Sequence, residues 1–95
     1  MSTREVVSSN PINALRRRLG LSKMDFARLL GVSLASVYRW EGGDHNKVEY
    51  STARLLPCLR RYADIPEAAS LTEVIATQGE VIALYVMLKA TVDVG

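Results

Sequence analysis

The chain has 95 residues, of which 48% are hydrophobic and 23% are charged, a balance typical of one small globular domain rather than of a disordered chain. Its one cysteine and one histidine exclude an intramolecular disulfide and a zinc site built from several such ligands. The net charge of +2 is unevenly divided, because residues 1–47 hold eight basic and four acidic side chains whereas residues 48–95 hold four basic and six acidic ones. This division indicates that an anionic partner meets the N-terminal half.

The N-terminal half is predicted to form a tail followed by three short helices. Residues 1–9 are polar and lack periodicity, which predicts a flexible tail that is not a signal peptide. Asn10 directly before Pro11 predicts the start of the first helix, since asparagine is a good N-cap and proline is favoured at the first helical position. The predicted caps are Asn10, Ser22 and Ser33, and the predicted helix ends are Gly20, Gly31 and Gly42.

The C-terminal half contains two further helix patterns separated by a break. Pro57 lies inside the first of them, where it either kinks the helix or starts it. Residues 64–66, Asp-Ile-Pro, predict a break. Ser70 and Glu73 then have the spacing of a capping box, which predicts a new helix start.

Residues 80–92 are apolar almost all round and are harder to assign. Their length favours a helix, whereas their β-branched content favours a buried strand; we predict a helix and keep the strand open. So apolar an element needs a partner surface that a small domain does not supply alone, which predicts a homodimer interface. The predicted interface residues are Val81, Ile82, Leu84, Tyr85, Val86 and Leu88.

The segment from Lys23 to Gly42 meets the spacing requirements of two helices that cross at a tight turn. Ala27 supplies the small residue at the crossing, and Gly31 supplies the positive φ that so short a reversal needs. Val37 and Trp40 lie three residues apart and are predicted to face inward, which leaves the other face of the second helix uncovered. The capped first turn of that helix presents free amide groups and the positive end of the helix dipole.

Residues 12–43, INALRRRLGLSKMDFARLLGVSLASVYRWEGG, resemble the Cro/repressor-type (XRE) helix-turn-helix family of sequence-specific DNA-binding regulators. The resemblance implies an all-α fold, a compact helix-turn-helix bundle of four to five helices with an apolar C-terminal dimerisation segment. It also implies a homodimer on double-stranded DNA that reads two half-sites about 34 Å apart. The predicted organisation is a tail at residues 1–9, a DNA-binding domain at 10–63 and a dimerisation segment at 64–95.

The same resemblance implies which residues contact DNA. The helix from Ser33 to Glu41 would enter the major groove, and Leu34, Ala35 and Arg39 fall where family members contact base edges. Ser33, Ser36 and Tyr38 flank them and would touch bases or phosphates, whereas Lys23, Asn46 and Lys47 match positions that grip the DNA backbone.

The chain departs from the common family pattern in ways that predict its base preference. Lys23 stands where glutamine is often found, and a compact point charge suits a phosphate better than a base edge. Leu34 and Ala35 are apolar, so they can recognise only the thymine methyl group or exclude other groups. Arg39 is left as the strong hydrogen-bonding reader, best suited to the O6 and N7 atoms of guanine.

Arg16 and Glu41 resemble an internal ion pair that ties the first helix to the end of the recognition helix. The alternative is a pair of surface charges with no measurable role, since exposed pairs often contribute only about 0–1 kcal/mol. The sequence leaves both interpretations open.

Two classes of function follow. The first is a DNA-binding transcriptional regulator, and within this class the sequence favours a repressor. The second is an antitoxin or interaction module whose apolar C-terminal segment binds a partner protein. An enzyme is not predicted, because the sequence offers no nucleophile–base set, metal cluster or phosphate loop, so neither a cofactor nor a metal is expected. The longest apolar run, residues 81–88, is too short to cross a bilayer, which predicts a cytoplasmic protein without a membrane partner.

Overall fold

The protein is all-α, as predicted. The computed structural model describes residues 10–94, and every regular element in that range is helical. The tail predicted at residues 1–9 lies outside the described residues. The helices are α1 (Pro11–Arg18), α2 (Lys23–Leu30), α3 (Leu34–Arg39), the single turn α4 (Tyr50–Ala53), α5 (Leu56–Ala63), α6 (Leu71–Gln78) and α7 (Glu80–Val94).

Polar side chains cap the N-termini of four of these helices. In each case the side-chain oxygen accepts a hydrogen bond from an amide of the first helical turn, which would otherwise lack an intrahelical partner. The first cap accepts two such bonds, of 3.0 and 2.9 Å. The capping residues of α1, α2, α3 and α6 are Asn10, Ser22, Ser33 and Ser70, all of them predicted.

The turn between α2 and α3 depends on Gly31. Its φ of 73° lies in the left-handed region, which glycine adopts without steric cost. The reversal is closed by the amide of Val32, which donates to the carbonyl of Ala27 at 3.0 Å. Since α3 begins at Leu34, the two helices are joined by only three residues, as the spacing predicted.

The chain leaves α3 through a wide turn. Residues 40–44 form one π-type turn in which Gly43 has a φ of 132°, and residues 45–47 form a 3₁₀ turn. The one-turn helix α4 follows. Pro57 then lies in the first turn of α5, where its missing N–H is no loss, so the proline starts a helix rather than kinking one.

Residues 80–94 form a helix, which decides between the two alternatives left by the sequence. Ala83, Met87 and Thr91 follow one another at helical spacing and are 0–2% exposed, and α7 packs against α2, α5 and α6. Arg28 of α2 donates a 2.9 Å hydrogen bond to Glu80 at the start of α7. The core therefore draws side chains from both sides of the boundary predicted after residue 63.

No helix among residues 10–94 combines the length and the apolarity that a bilayer crossing requires.

Candidate nucleic-acid interface

Helix α3 has one buried face and one exposed face. Val37 of α3 and Trp40 directly after the helix are 0% exposed, so the predicted inward residues are core residues. Ala35 and Arg39, one turn apart, are exposed, and Tyr38 beside them is 58% exposed. The structure therefore places the predicted base reader Arg39 on an open surface together with a small side chain and an aromatic ring.

The first turn of α3, with its cap, carries three further residues predicted to contact DNA: Ser33, Leu34 and Ser36. Ser33 is exposed and its Oγ accepts a hydrogen bond from the Ser36 amide at 3.1 Å, while the two hydroxyl oxygens lie 3.0 Å apart. Leu34 is half-buried. A smaller fraction of Leu34 than of Ala35 is therefore exposed to a thymine methyl group.

The turn that directly follows α3 is tied to α1 through the carboxylate of Glu41. Arg16 donates to it twice, from Nε to Oε2 at 2.7 Å and from Nη2 to Oε1 at 3.1 Å, and Asn13 Nδ2 donates to Oε1 at 2.9 Å. The side chains of Arg16 and Glu41 are only 12% and 6% exposed. The structure thus contains the ion pair as a largely buried, bidentate contact, not as two surface charges.

The charge of Glu41 is stabilised by these neighbours. Burial by itself acts to raise the pKa of the carboxyl group, but the hydrogen bonds from Arg16 and Asn13 and the positive charges of Arg16 and Lys23 outweigh it. The pKa of Glu41 therefore lies below its ordinary value, and the group is ionised at neutral pH.

A second connection between α1 and the end of α3 comes from Asn10, the N-cap residue of α1. While Asn10 Oδ1 caps α1, its Nδ2 donates to the carbonyls of Trp40 at 3.1 Å and Glu41 at 3.3 Å. Those carbonyls lie where α3 gives way to the wide turn, so the Asn10 side chain links the start of α1 to that turn. We call Asn10, Asn13 and Arg16, with Glu41, the α1–α3 brace; sequence analysis foresaw only its ion pair.

Lys23, the predicted phosphate contact at the start of α2, faces two groups of its own protein. Its Nζ lies 3.8 Å from Glu41 Oε1 and 5.1 Å from the centre of the Tyr38 ring, and its side chain is 33% exposed. The second distance is within the range of a cation–π interaction. The structure therefore joins Lys23 at the start of α2 to Tyr38 on the exposed face of α3, although 15 positions separate these two residues in the sequence.

Comparison with known families agrees with this geometry. Residues 12–84 match the sequence model of a helix-turn-helix domain, a match that covers well over half of the chain. The chain belongs to the helix-turn-helix domain family. It has no significant match to a curated protein or to a solved structure.

Membership of the helix-turn-helix family indicates a DNA-binding regulator rather than an enzyme. The family match includes Asn13, Arg16 and Glu41 of the brace, the exposed face of α3 and the start of α7, whereas Asn10 lies just before it. Within residues 10–94, no group of histidine, cysteine and acidic side chains has the arrangement of a metal site.

The loop after α3 adds basic groups to this helix-turn-helix domain. Lys47 is exposed, whereas the side chain of Asn46 lies outside the described part of the chain. Tyr50 is 80% exposed, and the guanidinium carbon of Arg54 lies 5.9 Å from the centre of its ring. Sequence analysis missed this pair, although its four-residue spacing on a helix was the signal that could have shown it.

The residues predicted for a dimer interface fall into two groups on α7. Val81, Ile82 and Tyr85 are 74%, 39% and 60% exposed. Their apolar row continues to Val92, 75% exposed, which the sequence prediction had left out. The other predicted residues are half-buried and pack against the core of the domain itself: Leu84, Val86 and Leu88.

Proposed function

We propose that the protein is a cytoplasmic, XRE-type transcriptional repressor that binds a palindromic double-stranded DNA operator as a homodimer, with α3 in the major groove. The observation that supports this most is the division of α3, whose inward residues are fully buried while Ala35, Tyr38 and Arg39 are exposed side by side. A helix so supported from behind fits the major groove of B-form DNA, which is wide enough to admit it. A bound dimer would repress by occupying a site that polymerase needs.

The exposed residues of α3 suggest how a half-site is read. Arg39 carries the planar donor fork that pairs with the O6 and N7 atoms of guanine. Ala35, one turn earlier, offers a methyl group to a thymine methyl, and Leu34 offers the part of its side chain that remains accessible. Lys47 and the capped first turn at Ser33 supply contacts to phosphates, which fix the position of the helix without reading sequence.

The base contact can be tested with Arg39→Ala. We expect this variant to lose about 1–3 kcal/mol of binding free energy, concentrated at one base pair of each half-site, because a bidentate arginine discriminates guanine from the other bases. The operator would first be selected from random duplex DNA, and the variant then measured on all single-base changes of that operator.

Arg60→Ala is the matched control, because Arg60 is an exposed arginine of α5 outside the proposed contact surface. It should retain wild-type affinity and base preference. If Arg39→Ala weakened binding equally on every sequence, Arg39 would be a phosphate contact. If selection enriched no site at all, sequence-specific binding would be excluded.

Homodimerisation is supported by the exposed apolar row on α7. A row of valine, isoleucine and tyrosine side chains at helical spacing is the kind of surface that a second copy covers in a two-fold interface. Both Val81 and Tyr85 lie on a helix that packs against α2, α5 and α6, so the proposed interface is not built on α3.

The proposed interface predicts that Tyr85→Glu dissociates the dimer, because burying an unpaired carboxylate against an apolar surface is strongly unfavourable. Sedimentation equilibrium would measure the mass of the wild type, of this variant and of Met24→Glu. Met24 is an exposed apolar residue of α2 outside the α7 row, so its variant should remain dimeric. A wild-type monomer would exclude the homodimer, and solubility only in the presence of a second protein would favour the antitoxin or interaction-module alternative.

A further inference from the structure

Lys23 occupies a defined position between α2 and α3. On one side lies Glu41 Oε1, which Arg16 and Asn13 already hold in place through hydrogen bonds of 3.1 and 2.9 Å. On the other side lies the ring of Tyr38, 5.1 Å from the ammonium nitrogen. Since α2 begins at Lys23 directly after its Ser22 cap, the backbone of the lysine is fixed as well.

We infer that Lys23 is a positioning residue, which holds the ring of Tyr38 on the DNA-facing side of α3 so that the tyrosine, and not the lysine ammonium, contacts the DNA backbone beside Arg39. This inference rests on the proposed function and replaces the direct phosphate contact that the sequence suggested for Lys23.

The electrostatics of the site disfavour a direct phosphate contact by Lys23. A lysine that binds phosphate contributes through its uncompensated charge and the counterions that the DNA releases. Lys23 faces the ionised carboxylate of Glu41 at 3.8 Å, and only 33% of its side chain is exposed. A phosphate at this position would have to compete with the Glu41 carboxylate for the ammonium group.

Tyr38 is suited to the contact because it is exposed and restrained at the same time. Tyrosine has few rotatable bonds, and a cation held against its ring restricts them further, so less conformational entropy is lost on binding. Tyr38 is 58% exposed and adjacent in sequence to Arg39. Its hydroxyl is one of the side-chain groups that commonly bind DNA phosphate and sugar oxygens.

A double-mutant cycle on the selected operator tests the inference. The variants are Lys23→Gln, Tyr38→Leu and the double variant, with Lys47→Gln as the matched control because Lys47 is an exposed lysine of the loop after α3. We expect Lys23→Gln to weaken binding about twofold to fivefold when Tyr38 is present, and by less than about twofold when it is replaced by leucine.

The salt dependence of binding distinguishes the two roles of a lysine. Lys23→Gln should leave the slope of log K against log salt unchanged, whereas Lys47→Gln should reduce its magnitude by about 0.9, the value for one phosphate contact. A reduction of about 0.9 in Lys23→Gln, with equal losses in both Tyr38 backgrounds, would show that Lys23 binds phosphate directly and would overturn the inference.

A measurement on the free protein tests the lysine–tyrosine contact without DNA. The ring current of Tyr38 should move the ε-methylene proton signal of Lys23 upfield in the NMR spectrum, a shift retained in Tyr38→Phe and lost in Tyr38→Leu. If the wild type lacked the shift, the inference would be overturned while the proposed function stood. If the wild type bound no duplex DNA, the proposed function would fall, and this inference with it.

Discussion

Replacement of Met87 by alanine should strongly destabilise the helix-turn-helix, although Met87 lies outside that motif. Its side chain is 0% exposed, and its helix, α7, packs directly against α2. Truncating a buried methionine costs about 2–5 kcal/mol, because the contacts of the removed atoms are lost and a cavity remains. A small domain has only about 5–15 kcal/mol of stability in total, so the loss should be large relative to the whole.

The fluorescence of Trp40, the single tryptophan of the chain, reports on the motif itself during urea unfolding. Met24→Ala is the matched control, because it removes the same atoms from a methionine of α2 that is 53% exposed. The control should change the unfolding free energy by less than about 0.5 kcal/mol. Equal unfolding midpoints for the two variants would contradict the view that α7 belongs to the core of the domain.

Glu41→Gln should cost about 2–3 kcal/mol of stability at neutral pH, because it leaves the guanidinium of Arg16 largely buried without its counter-charge. The expected loss of stability is smaller than for a fully buried pair because the Arg16 side chain retains 12% exposure. Glu41→Gln should also weaken DNA binding, since the same carboxylate fixes the chain at the end of α3 and faces Lys23.

The effect of Glu41→Gln should depend on pH in a definite direction. The pKa of Glu41 is lowered in the folded protein, so its ion pair contributes fully above the ordinary carboxyl pKa of 4.5, and the contribution is lost as the pH falls through the folded value. Unfolding free energies of the wild type and the variant should therefore converge on acidification below about pH 4.5. Glu49→Gln, at an exposed position, should match the wild type throughout. A constant difference at every pH would show that the ionised form of Glu41 has no special role.

The elements of the motif could be predicted because their signals are local. An N-cap and its amide partner are at most three residues apart, and the turn at Gly31 needs only one residue that tolerates a positive φ. The choice between helix and strand for residues 80–92 was harder to make from the sequence for a physical reason. A segment that is apolar on every side has no periodicity, and only its packing on three neighbouring helices shows which face is buried.

The contacts that position the candidate site could be predicted only in part, because they join distant residues. The resemblance to a known family supplied the ion pair of Arg16 with Glu41. Nothing in the sequence indicated that Asn10, while capping α1, also donates to the carbonyls at the end of α3. The position of Lys23 beside Tyr38 likewise depends on how α2 and α3 pack against each other, which spacing alone does not determine.

The α1–α3 brace has a consequence for altering which DNA sequence the protein prefers. It holds α3 through the two residues just beyond the helix, whereas the proposed base-reading positions 35 and 39 take no part in it. Changes at Ala35 and Arg39 should therefore alter recognition at little cost in folding. Libraries randomised at these two positions are the natural route to variants retargeted to new DNA sequences.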